Sequence, residues 1–141
     1  MNEDELAVWG RGLGASFRGG ECLELIGDVG AGKTTLTKAV AVGMGVDEDV
    51  QSPTFTLSRI YDTPTLSLHH YDFYRLSEAG VMSYELAESL ADPKAVTVIE
   101  WAETVASVLP DERIIIRLAY TPDGMARVVS SSVPERYDYI K

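Results

Sequence analysis

Residues 24–35 of this chain read Glu24-Leu25-Ile26-Gly27-Asp28-Val29-Gly30-Ala31-Gly32-Lys33-Thr34-Thr35. From Gly27 onward the spacing is G-x-x-x-x-G-K-T, the Walker A pattern of phosphate-binding loops. Glycines let backbone N–H groups approach phosphate oxygens closely, because no Cβ is in the way. A helix that begins near Gly32 directs its positive N-terminal end at the same anion. The pattern therefore predicts a nucleotide-phosphate site from Gly27 to Thr35.

Two side chains of this loop are expected to have separate roles. Lys33 would place a positive charge on the β- and γ-phosphates, because its ammonium group lies at the end of a long, flexible stem. The Thr34 hydroxyl would ligate Mg²⁺, which prefers oxygen ligands. The loop therefore predicts Mg²⁺ together with a nucleotide.

The sequence on either side of the loop has the expected character. The apolar run Cys22–Ile26 predicts a buried strand before it. Apolar residues recur at helical spacing from Thr34 to Met44, and either Gly43 or Gly45 can end that helix. A glycine-rich hairpin turn is the alternative interpretation. A chance match to the whole pattern is rare at average residue usage, so the phosphate loop is favoured.

Composition limits the kinds of partner. The chain has 141 residues, 45% of them hydrophobic, which is enough for one domain with its own core. The net charge of −10 argues against broad binding to DNA or RNA backbones, which requires clustered Lys and Arg. An acidic surface either keeps the protein soluble or docks on a basic partner. Cys22 is the single cysteine and is expected to be a small buried side chain in a reducing compartment.

The sequence also gives an expected location. The start of the chain, Met1–Glu5, is acidic where a signal peptide would be basic. No apolar run approaches the length needed to span a membrane. We expect a cytoplasmic protein without a membrane partner.

The N-terminal segment predicts an amphipathic helix from Asp4 to Phe17, because large apolar residues recur every three or four positions. The apolar face consists of Leu6, Trp9, Leu13 and Phe17. The helix also contains Gly10, Gly12 and Gly14. Each glycine is expected to weaken it by up to about 1 kcal/mol relative to alanine.

After the loop helix, two segments rich in β-forming residues predict a hairpin over 52–61 and 66–76. The second segment ends with His70, Asp72 and Tyr74 at alternate positions, so these side chains would share one face. A carboxylate beside a Mg²⁺-nucleotide can act as a base or position a water molecule, and Asp72 is the candidate. Thr54 has two interpretations: a threonine just before a strand can sense the γ-phosphate through Mg²⁺ in phosphate-loop switches, but its spacing alone favours an ordinary strand residue.

The adjacent histidines His69 and His70 raise a second possibility, a metal site. One such pair without a nearby cysteine is a poor match to zinc ligand spacing. Zinc is therefore disfavoured here.

Further along, a helical tract over 78–90 precedes the apolar strand Ala95–Trp101, in which Glu100 is the first acid. An apolar strand that ends in a carboxylate is the Walker B arrangement, although aspartate is more usual there. Glu100 is therefore a candidate Mg²⁺ ligand. A short helix over 103–109 and a hairpin over 113–131 complete a single domain over 1–133, and 134–141 is a candidate disordered tail.

Four motifs together resemble the bacterial TsaE (YjeE) family, the small ATPase of tRNA threonylcarbamoyladenosine (t6A) biosynthesis. In chain order they are Gly27–Thr35, Ser52–Leu57, His70–Leu76 and Ile99–Glu103. The resemblance extends from about Leu6 to about Val129. Four motifs in order are far more specific than the Walker A pattern alone.

The resemblance implies a compact α/β fold, similar to P-loop NTPases, with three layers and a mixed parallel and antiparallel central sheet. It implies that Gly27–Thr35 binds Mg²⁺-ATP and that Thr34 and Glu100 are the Mg²⁺ ligands. Thr54 becomes a switch-like residue, and Asp72 a residue important for hydrolysis. The implied partners are the TsaD and TsaB proteins, which modify adenosine 37 of ANN-decoding tRNAs. tRNA itself would be reached only indirectly, through that complex.

Three other functions compete with this one. A small-molecule kinase normally needs an arginine-rich lid, and Arg59 and Arg75 are the only arginines in the middle of the chain. A GTPase is disfavoured because the guanine-reading N/T-K-x-D motif is missing. A non-catalytic nucleotide-binding subunit shares every binding residue and differs only in whether Asp72 and Glu100 support turnover.

Overall fold

The structure is a computed structural model of the chain. It describes residues 1–27, 32–48, 50, 58–74, 80, 82–124 and 126–140. The helices are α1 (Glu3–Ser16), α2 (Lys33–Met44) and α3 (Met82–Ala91). The strands are β1 (Cys22–Ile26), β2 (Ser58–Asp62), β3 (Ser67–Asp72), β4 (Ala95–Glu100), β5 (Ile114–Tyr120) and β6 (Arg127–Ser132). Two 3₁₀ helices cover Ala102–Val108 and Glu135–Tyr137.

The six strands form one sheet in the order β2-β3-β4-β1-β5-β6. The four central strands, β3, β4, β1 and β5, are parallel to one another. At the two edges β2 and β6 pair antiparallel with β3 and β5. The mixed sheet is as predicted. Its consequence for function is that β1, β3 and β4 all end at the same edge, where ligands bind in open α/β sheets.

Helices cover both faces of the sheet, so the fold has three layers. On one face α1 and α2 pack on the strands through a large core that includes Leu6, Leu36, Leu23 and Val98. On the other face α3 and the 3₁₀ helix Ala102–Val108 cover a smaller core that contains Cys22. β4 is buried along its whole length, as expected for a strand covered on both faces.

The ends of the two predicted N-terminal helices have clear physical causes. Asn2 caps α1, since its side chain accepts a hydrogen bond from the Glu5 N–H and the Glu5 carboxylate accepts one from the Asn2 N–H. α2 ends at Gly45, which has a φ of 95°, a left-handed conformation that glycine adopts at little cost. Gly45, and not Gly43, is therefore the residue that ends this helix.

The glycines of α1 serve in helix packing, which the sequence did not predict. A Cβ on Gly14 would lie 2.1 Å from the Val40 carbonyl oxygen, and one on Gly10 would lie 2.7 Å from the Ala39 Cβ. On the α2 side, a Cβ on Gly43 would lie 2.1 Å from the Arg11 carbonyl oxygen. These glycines let the backbones of α1 and α2 approach closely. A Cβ on Gly12, by contrast, would have no described atom from outside its own helix within 4 Å.

Alanine at two of these positions should therefore change stability in opposite directions. Gly14→Ala should lower the free energy of unfolding by about 1–3 kcal/mol, because the new methyl group would overlap backbone atoms of α2. Gly12→Ala, the matched control, should raise it by about 0.5–1 kcal/mol through helix propensity alone. Urea denaturation of both variants measures this. If Gly14→Ala stabilised the protein as much as Gly12→Ala, the close approach of the helices would be contradicted.

Residues 134–140 pack onto the core, whereas the sequence suggested a tail outside the domain. Tyr137 and Ile140 are buried in the larger core. The Tyr139 hydroxyl donates a hydrogen bond to the carboxylate of Glu21, which is itself 1% exposed. The Arg18 guanidinium lies 4.1 Å from the centre of the Tyr139 ring. The C-terminal segment therefore covers the end of the sheet opposite the carboxyl ends of the parallel strands.

No helix in the described part of the chain is both long enough and apolar enough to cross a bilayer.

Candidate functional site

The candidate site lies where β1, β3 and β4 end. β1 leads directly to Gly27, and α2 begins at Lys33, immediately after Gly32. Gly32 has a φ of 104°, which a side chain would disfavour, so glycine is required at this turn. The first turn of α2 therefore starts at the carboxyl edge of the sheet, with its unpaired N–H groups at that edge.

Lys33 is buried at the centre of this site. Its Nζ donates a hydrogen bond of 2.5 Å to the Gly27 carbonyl oxygen. The same nitrogen lies 3.9 Å from Glu100 Oε1 and 4.1 Å from the centre of the Trp101 ring. A buried ammonium group needs such partners, because removal from water is costly for an unpaired charge. The predicted phosphate-binding cation is thus held beside the predicted Mg²⁺ ligand.

Glu100 is the last residue of β4 and is 3% exposed. Its two carboxylate oxygens have different neighbours: Oε1 faces Lys33, and Oε2 lies 2.6 Å from His70 Nε2. The backbone carbonyl oxygen of Glu100 accepts a hydrogen bond from the Phe73 N–H, which ties the ends of β3 and β4 together. The carboxylate is therefore held between His70 of β3 and Lys33 of α2.

Asp72 ends β3 and lies opposite Glu100 in the parallel register. Its Oδ1 accepts a hydrogen bond of 3.1 Å from the Tyr74 N–H. Asp72 is half-buried, so its carboxylate can be reached from solvent. The structure thus places both predicted catalytic carboxylates, Asp72 and Glu100, on adjacent strand ends.

Trp101 follows Glu100 in a left-handed conformation, with a φ of 56°. It is the only residue other than glycine with a positive φ among those described, and this conformation is unusual for a large side chain. Its ring also packs against the Tyr74 ring in a tilted arrangement, with 4.8 Å between the ring centres. A cavity of about 130 Å³ opens beside it, lined by Glu24, Leu25, Ile26, Gly27, Lys33, Trp101, Ala102 and Glu103.

The remaining predicted site residues are only partly described. Thr34 is exposed and Thr35 half-buried, both in the first turn of α2. Four loop residues, Asp28, Val29, Gly30 and Ala31, lie outside the described residues, as does Thr54. The roles expected for them stay predictions.

The adjacent histidines lie on opposite faces of the sheet, as alternation along a strand requires. His69 Nδ1 lies 2.6 Å from Ser89 Oγ on α3, whereas His70 contacts Glu100. Burial lowers the pKa of His69 below its ordinary value, and the nearby Asp92, Asp62 and Glu85 carboxylates oppose this only in part. Because they lie on opposite faces of the sheet, the two imidazoles cannot bind one metal ion together.

Cys22 lies in the smaller core and is almost fully buried. Burial raises the pKa of its thiol to about 12, so it stays protonated and unreactive at neutral pH. This is the small buried side chain that the sequence predicted.

Two contacts of the site were not predicted. The sequence placed His70 near the chemistry without a role, and it placed Trp101 only next to the metal carboxylate. The spacing of His70 and Asp72 two residues apart was the available signal, since it puts both on one face of β3. The cation–π contact of Trp101 depends on its left-handed backbone, which sequence patterns do not reveal.

Comparison with known proteins agrees with this architecture. The model of the family described as "Threonylcarbamoyl adenosine biosynthesis protein TsaE" matches residues 1–129. The chain is 33% identical to the tRNA threonylcarbamoyladenosine biosynthesis protein TsaE of Bacillus subtilis over 141 residues, 99% of this chain and 87% of that protein. It is 38% identical to the TsaE protein of Treponema pallidum over 120 residues, 85% of this chain and 88% of the relative.

A solved structure is similar over nearly the whole chain. The crystal structure of YdiB from Bacillus subtilis superposes with a TM-score of 0.78 at 31% sequence identity. The match covers 99% of this chain and 86% of the YdiB chain. The compact α/β fold with a mixed sheet is therefore shared with a solved relative.

Proposed function

The chain belongs to the TsaE family, and we propose on that basis that it is a Mg²⁺-dependent ATPase that supports the formation of threonylcarbamoyladenosine in tRNA. We propose further that it works with the TsaD and TsaB proteins on adenosine 37 of ANN-decoding tRNAs. The observation that carries the ATPase part is the meeting of Lys33, Asp72 and Glu100 where β1, β3 and β4 end.

The donor set at this edge fits Mg²⁺. Glu100 supplies a hard carboxylate oxygen, Oε1, on the side that faces Lys33, and Thr34 supplies a hydroxyl from the first turn of α2. Mg²⁺ is bound by oxygen ligands, often one or two from the protein together with substrate phosphates. When bound, the ion would neutralise negative charge on the phosphate oxygens.

The chain's own residues would then divide the work. Lys33 and the N–H groups of Gly27–Thr35 would bind the phosphates of ATP, and the start of α2 adds its dipole. Asp72, at the solvent side of the site, would orient the attacking water molecule and accept its proton. Thr54 is proposed as a switch-like residue near the γ-phosphate.

The acidic composition supports an indirect contact with tRNA. With a net charge of −10 the chain has no excess of Lys and Arg for binding a phosphate backbone. Binding of tRNA would therefore fall to the partner proteins, and the protein would act with them in the cytoplasm.

The Lys33→Ala variant tests the nucleotide site. It should abolish or greatly weaken Mg²⁺-ATP binding and leave the fold intact, because it removes the cation beside Gly27 and Glu100. Isothermal titration calorimetry measures the affinity, and Lys38→Ala on an exposed position of α2 is the matched control. Unchanged affinity in Lys33→Ala would contradict the phosphate-loop assignment.

ATP should also bind more tightly than GTP, and equal or tighter GTP binding would count against an ATPase.

A further inference from the structure

One buried contact at the site has no role in the function proposed above. His70 is 1% exposed, and its Nε2 lies 2.6 Å from Glu100 Oε2. The two residues come from neighbouring parallel strands, β3 and β4. A buried imidazole that contacts a buried carboxylate at this distance makes a short hydrogen bond that restricts both side chains.

The hydrogen bonding of the ring assigns its proton. His70 Nδ1 is buried and has no hydrogen-bond partner among the residues that the structure describes. A carboxylate oxygen can only accept a hydrogen bond, so Nε2 is the donor in the contact with Glu100. The proton therefore belongs on Nε2, where it is donated to Glu100 Oε2.

We propose that His70 is a positioning residue for Glu100, an inference that rests on the Mg²⁺ role proposed for that carboxylate. The His70 hydrogen bond occupies Oε2 and leaves Oε1 directed to the side of Lys33, 3.9 Å from its Nζ. Glu100 would thus present its Oε1, in a fixed orientation, to Mg²⁺. Hydrogen-bond partners of metal ligands commonly fix the ligand's orientation and raise its affinity for the metal.

The chain offers matched substitutions for a test. In His70→Gln the side-chain amide nitrogen can reach the position of Nε2 and keep a donor for Glu100. In His70→Asn the shorter amide corresponds to the Nδ1 side of the ring and loses that hydrogen bond. His69→Asn is the control, because His69 contacts Ser89 on the opposite face of the sheet.

The quantity to measure is the Mg²⁺-dependent part of ATP affinity. ATP dissociation constants are determined by calorimetry in EDTA and over a series of Mg²⁺ concentrations, and melting temperatures are recorded in parallel. We expect His70→Asn to bind ATP in EDTA as the wild type does and to lose about 10–100-fold of the enhancement by Mg²⁺. His70→Gln and His69→Asn should retain the enhancement.

Several results would overturn the proposal. One is a full Mg²⁺ enhancement in folded His70→Asn, and others are an equal loss in His69→Asn or no recovery in folded His70→Gln. If His70→Asn does not fold at the assay temperature, His70→Leu, which preserves more of the volume, replaces it with the same expectation. A wild type that binds ATP without any enhancement by Mg²⁺ would instead remove the metal role of Glu100, and with it this proposal. A wild type that binds no ATP at all would overturn the proposed function itself.

Discussion

The Asp72→Ala variant is expected to bind Mg²⁺-ATP as the wild type does. In the presence of TsaD and TsaB it should hydrolyse ATP about 10²–10⁴-fold more slowly than the wild type. The reason is the position of Asp72, half-buried at the end of β3 and opposite Glu100 in the register. A carboxylate there can orient water without contributing much to nucleotide affinity. Single-turnover hydrolysis and calorimetry on the same samples separate the two effects.

A second aspartate serves as the control for this experiment. Asp62 ends β2, where it accepts a hydrogen bond from Ser67 at the far end of the hairpin. Asp62→Ala should leave turnover unchanged. A wild-type rate in Asp72→Ala would show that hydrolysis does not depend on this carboxylate and would reduce Asp72 to a structural strand end.

The second large effect is expected from the partners. We expect the isolated protein to hydrolyse ATP slowly and the TsaD–TsaB complex to accelerate it. Among the described residues, the cation that lies against Glu100 is a lysine, Lys33. Arg113 is bound by Glu24 and the Pro110 carbonyl oxygen. A catalytic arginine would therefore be supplied by a partner. Where a partner supplies a catalytic arginine, the gain in rate is about 10³–10⁵-fold. ATP should favour the docked state over ADP.

Trp101 provides a signal for this docking. It lies over Lys33 and against Tyr74, so its fluorescence should change with Mg²⁺-nucleotide and again with the partners. The measurement uses the Trp9→Phe background, in which Trp101 is the single tryptophan. Tight binding of tRNA by this chain alone at physiological salt, or full hydrolysis without a partner, would show that the partner proposal is wrong.

Much of the central sheet could be predicted because its signals are local. The strand Cys22–Ile26 was predicted with the bounds that the structure has, and β4 followed from an apolar run that ends in Glu100. The hairpin of β2 and β3 is confirmed as an antiparallel pair. In each case a short window of sequence contains both the periodicity and its end signal.

The remaining features depend on residues that are far apart in the sequence. Gly14 was interpreted as a weak helix position, whereas its contact with Val40 makes it part of the helix interface. The docking of Tyr139 on Glu21 and the contact of His70 with Glu100 have the same origin. Periodicity describes which face a residue occupies, but it does not tell which distant residue it meets there.

The position of β1 in the sheet also has a consequence for how the chain is made. β1 lies between β4 and β5, both of which the ribosome synthesises long after it. The larger core also includes Tyr137 and Ile140, which are synthesised later still, so it is completed only after them. Until β4 and β5 have been synthesised, the apolar strand β1 has unpaired edges on both sides, which are open to pairing with other chains. The nascent chain is therefore most exposed to aggregation during translation, and the mature protein much less so.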